Sequence, residues 1–354
     1  MPKTLYEKVY DFDRLKESYE RTQTGPRKYR KEAIYFAMSR ERKLVEIWED
    51  LKDKKYRPGS YIEFKVYEPK ERLVHAPHLR DKIVQFSAHL VLQELYRPVF
   101  IKDSYACLRE KGTHKAVWRI QHFMRLAKWK YKDPYIVKID VRHFFYSINR
   151  DILKKLYRKK VPAEETDFLW ILDTIVDSSP EGEKGLPLGN VTSQDFANIY
   201  LNEVDQFCKR YLGLKWYVRY MDDICIIVTT KAEAQEMLRK IRDFITQHLD
   251  LELNGKTQIY PLAQGLNTLG FKIQTTHLEV RKSSKEAMKR RIRKMERKHQ
   301  EGKMTEKEIQ QSVSAWLGHA RYSNSYNLSR KIFRNYSYVK IENEKWKFGE
   351  RRPE

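Results

Sequence analysis

Apolar side chains recur at helical spacing within residues 11–56, through Ile34, Phe36, Leu44, Ile47, Trp48 and Leu51, so this charged stretch is predicted to be helical with one buried stripe. Tyr56-Arg57-Pro58-Gly59-Ser60 ends it. The period then changes: residues 61–68 and 72–76 read as two strands joined by Pro69-Lys70-Glu71, and residues 79–95 return to a helical pattern. Ile136-Val137-Lys138-Ile139-Asp140-Val141 reads as a buried strand that ends in an acid. Residues 151–180 read as helices, and another helix follows Ser193 through Leu201 and Phe207. Two apolar runs, Trp216-Tyr217-Val218-Arg219-Tyr220 and Ile224-Cys225-Ile226-Ile227-Val228, flank Met221-Asp222-Asp223, the pattern of a hairpin with aspartates at its tip. An amphipathic helix is predicted over 231–249. No internal repeat or low-complexity segment interrupts the chain.

After about residue 274 the character changes. Lys289-Arg290-Arg291-Ile292-Arg293-Lys294-Met295-Glu296-Arg297-Lys298 packs seven cations into ten residues, while Met288, Ile292 and Met295 recur at helical spacing. That predicts a helix with one thin apolar seam and a broad cationic face. A second helical stretch, residues 312–333, carries Trp316, His319, Tyr322 and Tyr326, expected as core aromatics. The formal net charge of +23 makes the same point for the whole chain: the expected partner is a polyanion, nucleic acid first and an anionic membrane surface second. No apolar run of about 18 residues occurs, and Met1-Pro2-Lys3-Thr4 is not followed by a signal core, so neither membrane insertion nor secretion is expected. The three cysteines, Cys107, Cys208 and Cys225, are widely spaced, which excludes the usual zinc pattern and fits a reducing, cytoplasmic setting.

Chemistry enters with the acids. Two carboxylates held side by side repel, and a fold tolerates that most easily where a cation or solvent relieves it. Asp222-Asp223 alone reads as a solvated turn; Asp140, delivered by a strand beside that tip, turns it into a carboxylate pair able to hold two Mg²⁺ ions. Such a pair of ions clamps the attacking and leaving oxygens of an in-line phosphoryl displacement.

On these residues the chain resembles a reverse transcriptase. Lys138-Ile139-Asp140-Val141-Arg142-His143-Phe144-Phe145-Tyr146-Ser147-Ile148 is similar to that family's first catalytic motif, and Tyr220-Met221-Asp222-Asp223 to its third. Leu253-Asn254-Gly255-Lys256-Thr257 resembles the segment with a conserved lysine, and Leu269-Gly270-Phe271-Lys272-Ile273 the primer-grip hairpin. The resemblance implies an α+β right-hand polymerase fold. Its parts would be an N-terminal helical extension (1–60), fingers (61–135 with 151–185), palm (136–150 and 186–274), a helical thumb (275–340) and a charged tail (341–354). It implies Asp140, Asp222 and Asp223 as metal site, with the Val141 carbonyl as an added ligand and Lys256 near the leaving pyrophosphate. Lys70 and Arg72 would meet the incoming dNTP, and the Phe145 ring would block a ribose 2′-hydroxyl. Leu269, Gly270, Phe271, Arg290, Arg291 and Lys294 would contact template RNA or the RNA/cDNA duplex.

One motif narrows the subfamily. Many reverse transcriptases carry Gln-Gly followed after three residues by Ser-Pro; here Leu186-Pro187-Leu188-Gly189-Asn190-Val191-Thr192-Ser193-Gln194 puts Leu188 and Gln194 in place of the glutamine and the proline, with Gly189 retained. That resembles the enzymes of diversity-generating retroelements, which copy a template RNA with errors at adenines. The resemblance implies a small basic accessory protein, whose oligomeric state it leaves open, and a bacterial, archaeal or phage source. Retron, intron-derived and phage-defence reverse transcriptases stay open as alternatives, as does a catalytically silent RNA-binding protein on the same fold.

Overall fold

The computed structural model describes residues 3–67, 71–336 and 339, so Lys70 and the tail 341–354 lie outside the described residues. The chain opens with helices α1 (Leu5–Val9), α2 (Phe12–Thr22), α3 (Lys31–Ala37) and α4 (Arg40–Lys52), then the hairpin β1 (Tyr61–Val66) and β2 (Arg72–Pro77). Next come α5 (Leu79–Tyr96), α6 (Thr113–Lys130), β3 (Tyr135–Ile139), α7 (Phe144–Ser147), α8 (Arg150–Arg158), α9 (Thr166–Asp177) and α10 (Val191–Gln206). The hairpin β4 (Tyr217–Tyr220) and β5 (Asp223–Val228) leads to α11 (Lys231–Leu249), β6 (Gln258–Pro261), β7 (Leu266–Thr268), β8 (Phe271–Ile273) and β9 (Leu278–Val280). Helices α12 (Lys282–Gln300), α13 (Glu306–Ala320) and α14 (Tyr326–Phe333) close the described chain. Strands β4, β5, β3 and β6 pair in that order, and β7, β8 and β9 form a separate antiparallel sheet. The architecture is α+β.

The chain divides into two compact units. The first comprises Met1–Glu110, Ile139–Ile224 and Met237–Thr257. Its centre is α5, whose Ile83, Val84, Ala88, Val91 and Leu92 are all buried, and against which α2 and α10 pack. Thr4 starts α1 with a capping box through Glu7, and Tyr6 donates from its hydroxyl to the Leu51 carbonyl, tying the N-terminal helices together. Within the predicted stripe, Phe36, Leu44, Ile47 and Leu51 are buried, but Ile34 is exposed. Residues two apart on a helix point about 200° from one another, so α3 can bury Phe36 only by turning Ile34 outward.

The second unit comprises Lys111–Lys138, Cys225–Glu236 and Gln258–Glu354. Here β3 and β6 pair antiparallel with Ile136 opposite Tyr260. Helix α12 buries Met288, Ile292 and Met295 against Ile309, Val313, Ile332 and Phe333. The stretch expected as one helix over 312–333 is two, because Ser323 and Ser325 both turn their hydroxyls back to the Ala320 carbonyl and cap α13 there. No helix among the described residues is long and apolar enough to cross a membrane.

Candidate active site

The strand pair β4–β5 carries apolar residues on both faces, with Tyr217, Val218 and Ile224 to Val228 all buried. Its two-residue turn is Met221-Asp222; Asp223 already belongs to β5, one position past the expected tip. Met221 has φ 55°, a left-handed conformation that costs a side-chain-bearing residue roughly 1–2 kcal/mol. Strain held at such a place needs a rigid support. Arg219, fully buried, supplies it. Its Nε and Nη2 donate to Asp205 at 2.8 and 2.7 Å, and its Nη1 donates to Asn198 Oδ1 at 3.0 Å and to the Met221 carbonyl at 3.2 Å. Tyr217 donates to the same Asp205 carboxylate at 2.6 Å. A buried guanidinium therefore grips the turn from beneath, a role that the sequence reading of this run as a plain apolar strand missed; the signal was a lone arginine inside it.

Asp140 follows directly on β3, which neighbours β5 in the sheet. The turn after Leu253 clasps its backbone: Asn254 N donates to the Asp140 carbonyl at 2.7 Å, and the Asp140 amide donates to Thr257 Oγ1 at 3.2 Å. Lys256 sits exposed on this same turn, its amide held by Asn254 Oδ1, so two residues expected separately are built on one anchor. Val141 and Leu253 form an antiparallel bridge flanked by the bonds Arg142 N to Glu252 O and Asn254 N to Asp140 O. In that arrangement Val141's own amide and carbonyl point to the opposite strand edge, the edge where β5 lies. The carbonyl is therefore turned as a metal ligand from this residue would need.

Burial, with the charges of Asp223 and Asp140 beside it, pushes the Asp222 carboxyl up to about 6, while Arg72 acts in the opposite direction. The three acids and Arg72 thus share one electrostatic neighbourhood. Among the described residues no three His, Cys, Asp or Glu side chains converge as a ready metal cage. Mg²⁺ in phosphate chemistry takes one or two carboxylates and completes its shell with phosphates and water, so Asp140, Asp222 and the Val141 carbonyl are a donor set of the right kind.

The loop carrying Leu188 and Gly189 is moored close by. Leu186 N donates to the Phe145 carbonyl at 2.8 Å, Gly185 N to the Ile148 carbonyl at 2.8 Å, and Tyr146 donates from its hydroxyl to the Leu73 carbonyl at 3.1 Å. Arg150 gathers the carbonyls of Glu181, Gly182 and Gly185. A Cβ on Gly189 would stand 2.1 Å from the His75 carbonyl oxygen and 2.8 Å from Ala76 Cα, so only glycine lets this loop lie on β2. Arg72, Phe145, Leu188 and Gly189 are thereby linked through β2 and α7. Gln194, in contrast, is exposed on the first turn of α10.

The primer-grip-like hairpin turns through Leu269 (φ 50°) and Gly270 (φ 86°), the pair of left-handed residues of a tight two-residue turn. Phe271 corrects the expectation: it is fully buried, its ring 4.4 Å from His319 and 6.0 Å from His114, so it supports the hairpin and cannot touch nucleic acid. His319 and Tyr322 belong to this aromatic group, whereas Trp316 packs on the α12 core. On α12, Arg290, Arg291 and Lys294 are exposed, Arg290 and Lys294 turned away from the buried seam and Arg291 on its flank.

The reverse transcriptase (RNA-dependent DNA polymerase) family profile matches residues 56–273, and the chain belongs to that family. Protein YkfC of Escherichia coli (strain K12) is 27% identical over 254 residues, covering 59% of this chain and 66% of that protein. The group II intron-encoded protein LtrA of Lactococcus lactis subsp. cremoris is 28% identical over 177 residues, covering 47% of this chain and 28% of that protein. The chain thus spans less than two thirds of either relative. Among solved structures, apo telomerase from Candida tropicalis is similar in fold, with a TM-score of 0.50 at 13% identity, covering 64% of this chain and 48% of that one.

Proposed function

We propose that the chain is an RNA-directed DNA polymerase that copies a template RNA into cDNA. The observation that carries this is the coupling of Asp222 to Asp140 and Asp223 at the turn gripped by Arg219, since an RNA-binding face gains nothing from clustered acids. Asp140, Asp222 and the Val141 carbonyl would hold two Mg²⁺ ions, which supply charge neutralisation at the triphosphate and at the attacking oxygen. The primer 3′-hydroxyl attacks the α-phosphate of a dNTP, the bond to the β-phosphate oxygen breaks, and pyrophosphate leaves. Arg72 would bind the triphosphate, with Lys70 beside it in the chain. Lys256 would meet the departing pyrophosphate as proton donor or point charge. Asp223 would orient water, and the half-buried Phe145 ring would bar a ribose 2′-hydroxyl. Leu269 and Gly270 with Arg290, Arg291 and Lys294 would hold the template and the RNA/cDNA duplex. In this reading 61–135 with 151–185 are fingers, 136–150 with 186–274 palm, and 275–340 thumb. The decisive test is primer extension on an RNA template with Asp222→Asn: incorporation is lost while RNA affinity is retained. Reduced affinity with unchanged turnover would sink the assignment.

We further propose a diversity-generating role in a bacterial, archaeal or phage setting, with cytoplasmic synthesis and a small basic accessory protein as partner. Leu188 and Gln194 support it. A leucine offers a nucleotide pocket only shape, whereas a glutamine there would leave an unpaired amide against wrong geometry at a cost of roughly 1–3 kcal/mol. Leu188→Gln is therefore expected to lower misincorporation opposite template adenine more than opposite other bases; cDNA sequencing with an equal adenine error rate would place infidelity elsewhere. The likeness to LtrA favours an intron-derived enzyme as the second reading, which accurate copying of adenines would support.

A further inference from the structure

Helix α6 buries one face completely, with Ala116, Val117, Ile120, Phe123 and Met124 inward, and is pinned by Gln121 Nε2 to the Gln274 carbonyl and Arg125 Nε to the Thr275 carbonyl. Its apolar requirement is met there. The outer face nonetheless carries two tryptophans, Trp118 at 40% and Trp129 at 86% exposure. Eleven residues at 100° each return to within about 20° of the same direction, so the two indoles stand in line about 16 Å apart. His122 and Arg125 fall between them on that line, Lys128 and Lys130 lie to its sides, and all four are exposed. No acidic residue occurs in the 18 residues of α6.

We propose that this outer face of α6 binds single-stranded RNA, as a site distinct from both the Asp222 turn and the cationic face of α12. Two indole planes with cations between and beside them match the two things a single strand offers, stackable bases and a phosphate at every step. A span of 16 Å suits about five stacked nucleotides at 3.4 Å each. An apolar protein partner fits poorly, because lysine is depleted from interface cores. A membrane surface fits poorly too, since the continuous apolar face of the helix is turned to the core and only isolated apolar side chains, interleaved with cations, point outward. Trp118 is partly ordered in advance: its ring lies 6.2 Å from Tyr322 and 6.4 Å from His114, which are themselves stacked at 3.5 Å.

The proposal rests on the reverse transcriptase reading only for the choice of RNA over DNA. Its test uses the full chain and a fluorescent 12-nucleotide oligo(U), with binding read by anisotropy. Trp129→Ala should weaken oligo(U) roughly tenfold and Trp118→Ala less, with Trp129→Phe restoring most of the loss. Affinity for a blunt RNA/DNA hybrid should stay unchanged, because paired bases cannot reach the indoles. Lys128→Glu with Lys130→Glu should lower the salt dependence of oligo(U) binding, whereas the tryptophan variants should not. Unaltered oligo(U) affinity in Trp129→Ala would overturn the proposal. So would a loss confined to vesicles rich in phosphatidylserine, which would assign the face to a membrane. Because the assay reads no synthesis, a polymerase-inactive chain that still loses oligo(U) through Trp129 would refute the polymerase reading and leave this site standing.

Discussion

Asp222→Asn should make the fold more stable while abolishing synthesis. Burial and two neighbouring carboxylates lift the Asp222 carboxyl from the ordinary 3.8 to about 6. A folded-state value above the unfolded one means that the native protein binds this proton more tightly. The stabilisation it gives is complete below about pH 4 and is lost as pH rises through about 6. Above that, the ionised carboxylate destabilises the magnesium-free fold by up to about 3 kcal/mol, at 1.36 kcal/mol per pH unit. Asparagine keeps the shape and never ionises. At pH 8 in EDTA the variant should therefore unfold at a higher urea concentration than wild type, by an amount equivalent to about 1–3 kcal/mol, and at pH 4 the two should coincide. Magnesium should close the pH 8 gap by raising wild type alone, since only the carboxylate gives the ion a strong ligand. Equal stabilities at pH 8, or a less stable variant, would show that Asp222 is neither desolvated nor coupled to Asp140 and Asp223, and the metal-site reading would fall with it.

Arg219→Met leaves Asp205 charged and buried, and should destabilise the fold by roughly 3–5 kcal/mol in urea denaturation; adding Asp205→Leu should recover most of that stability but not synthesis, because the Met221 carbonyl still lacks its donor. If the double variant polymerised normally, the grip on the turn would have no function. Gly189→Ala forces the loop off β2 and should raise the KM for dNTP with a loss of about 1–3 kcal/mol in stability, and an unchanged KM would detach that loop from the nucleotide. Arg291→Glu with Lys294→Glu should weaken template–primer binding and flatten its log–log salt slope by about 0.7–0.9 per lost phosphate contact; an unaltered slope would return α12 to an ordinary solvated face.

Local pattern alone determined most of the elements. The period of 231–249 marks α11 to the residue, the apolar run 136–141 marks β3, and the seam Met288, Ile292 and Met295 separates the buried from the cationic side of α12. These are properties of neighbouring residues, and side-chain periodicity records them directly. Tertiary structure decided what depends on partners far away in the chain. Arg219 can lie inside an apolar strand because Asp205, Asn198 and the Met221 carbonyl, on two other segments, satisfy its donors. Gly189 is indispensable because β2, more than a hundred residues earlier, passes against it, and Phe271 is lost to the surface because His114 and His319 close over it. The outer tryptophans of α6 stand out for the same reason: only the packed helix shows which of its faces the core has left to solvent. Burial and hydrogen-bond satisfaction are properties of assembled space, so no stretch of sequence carries them by itself.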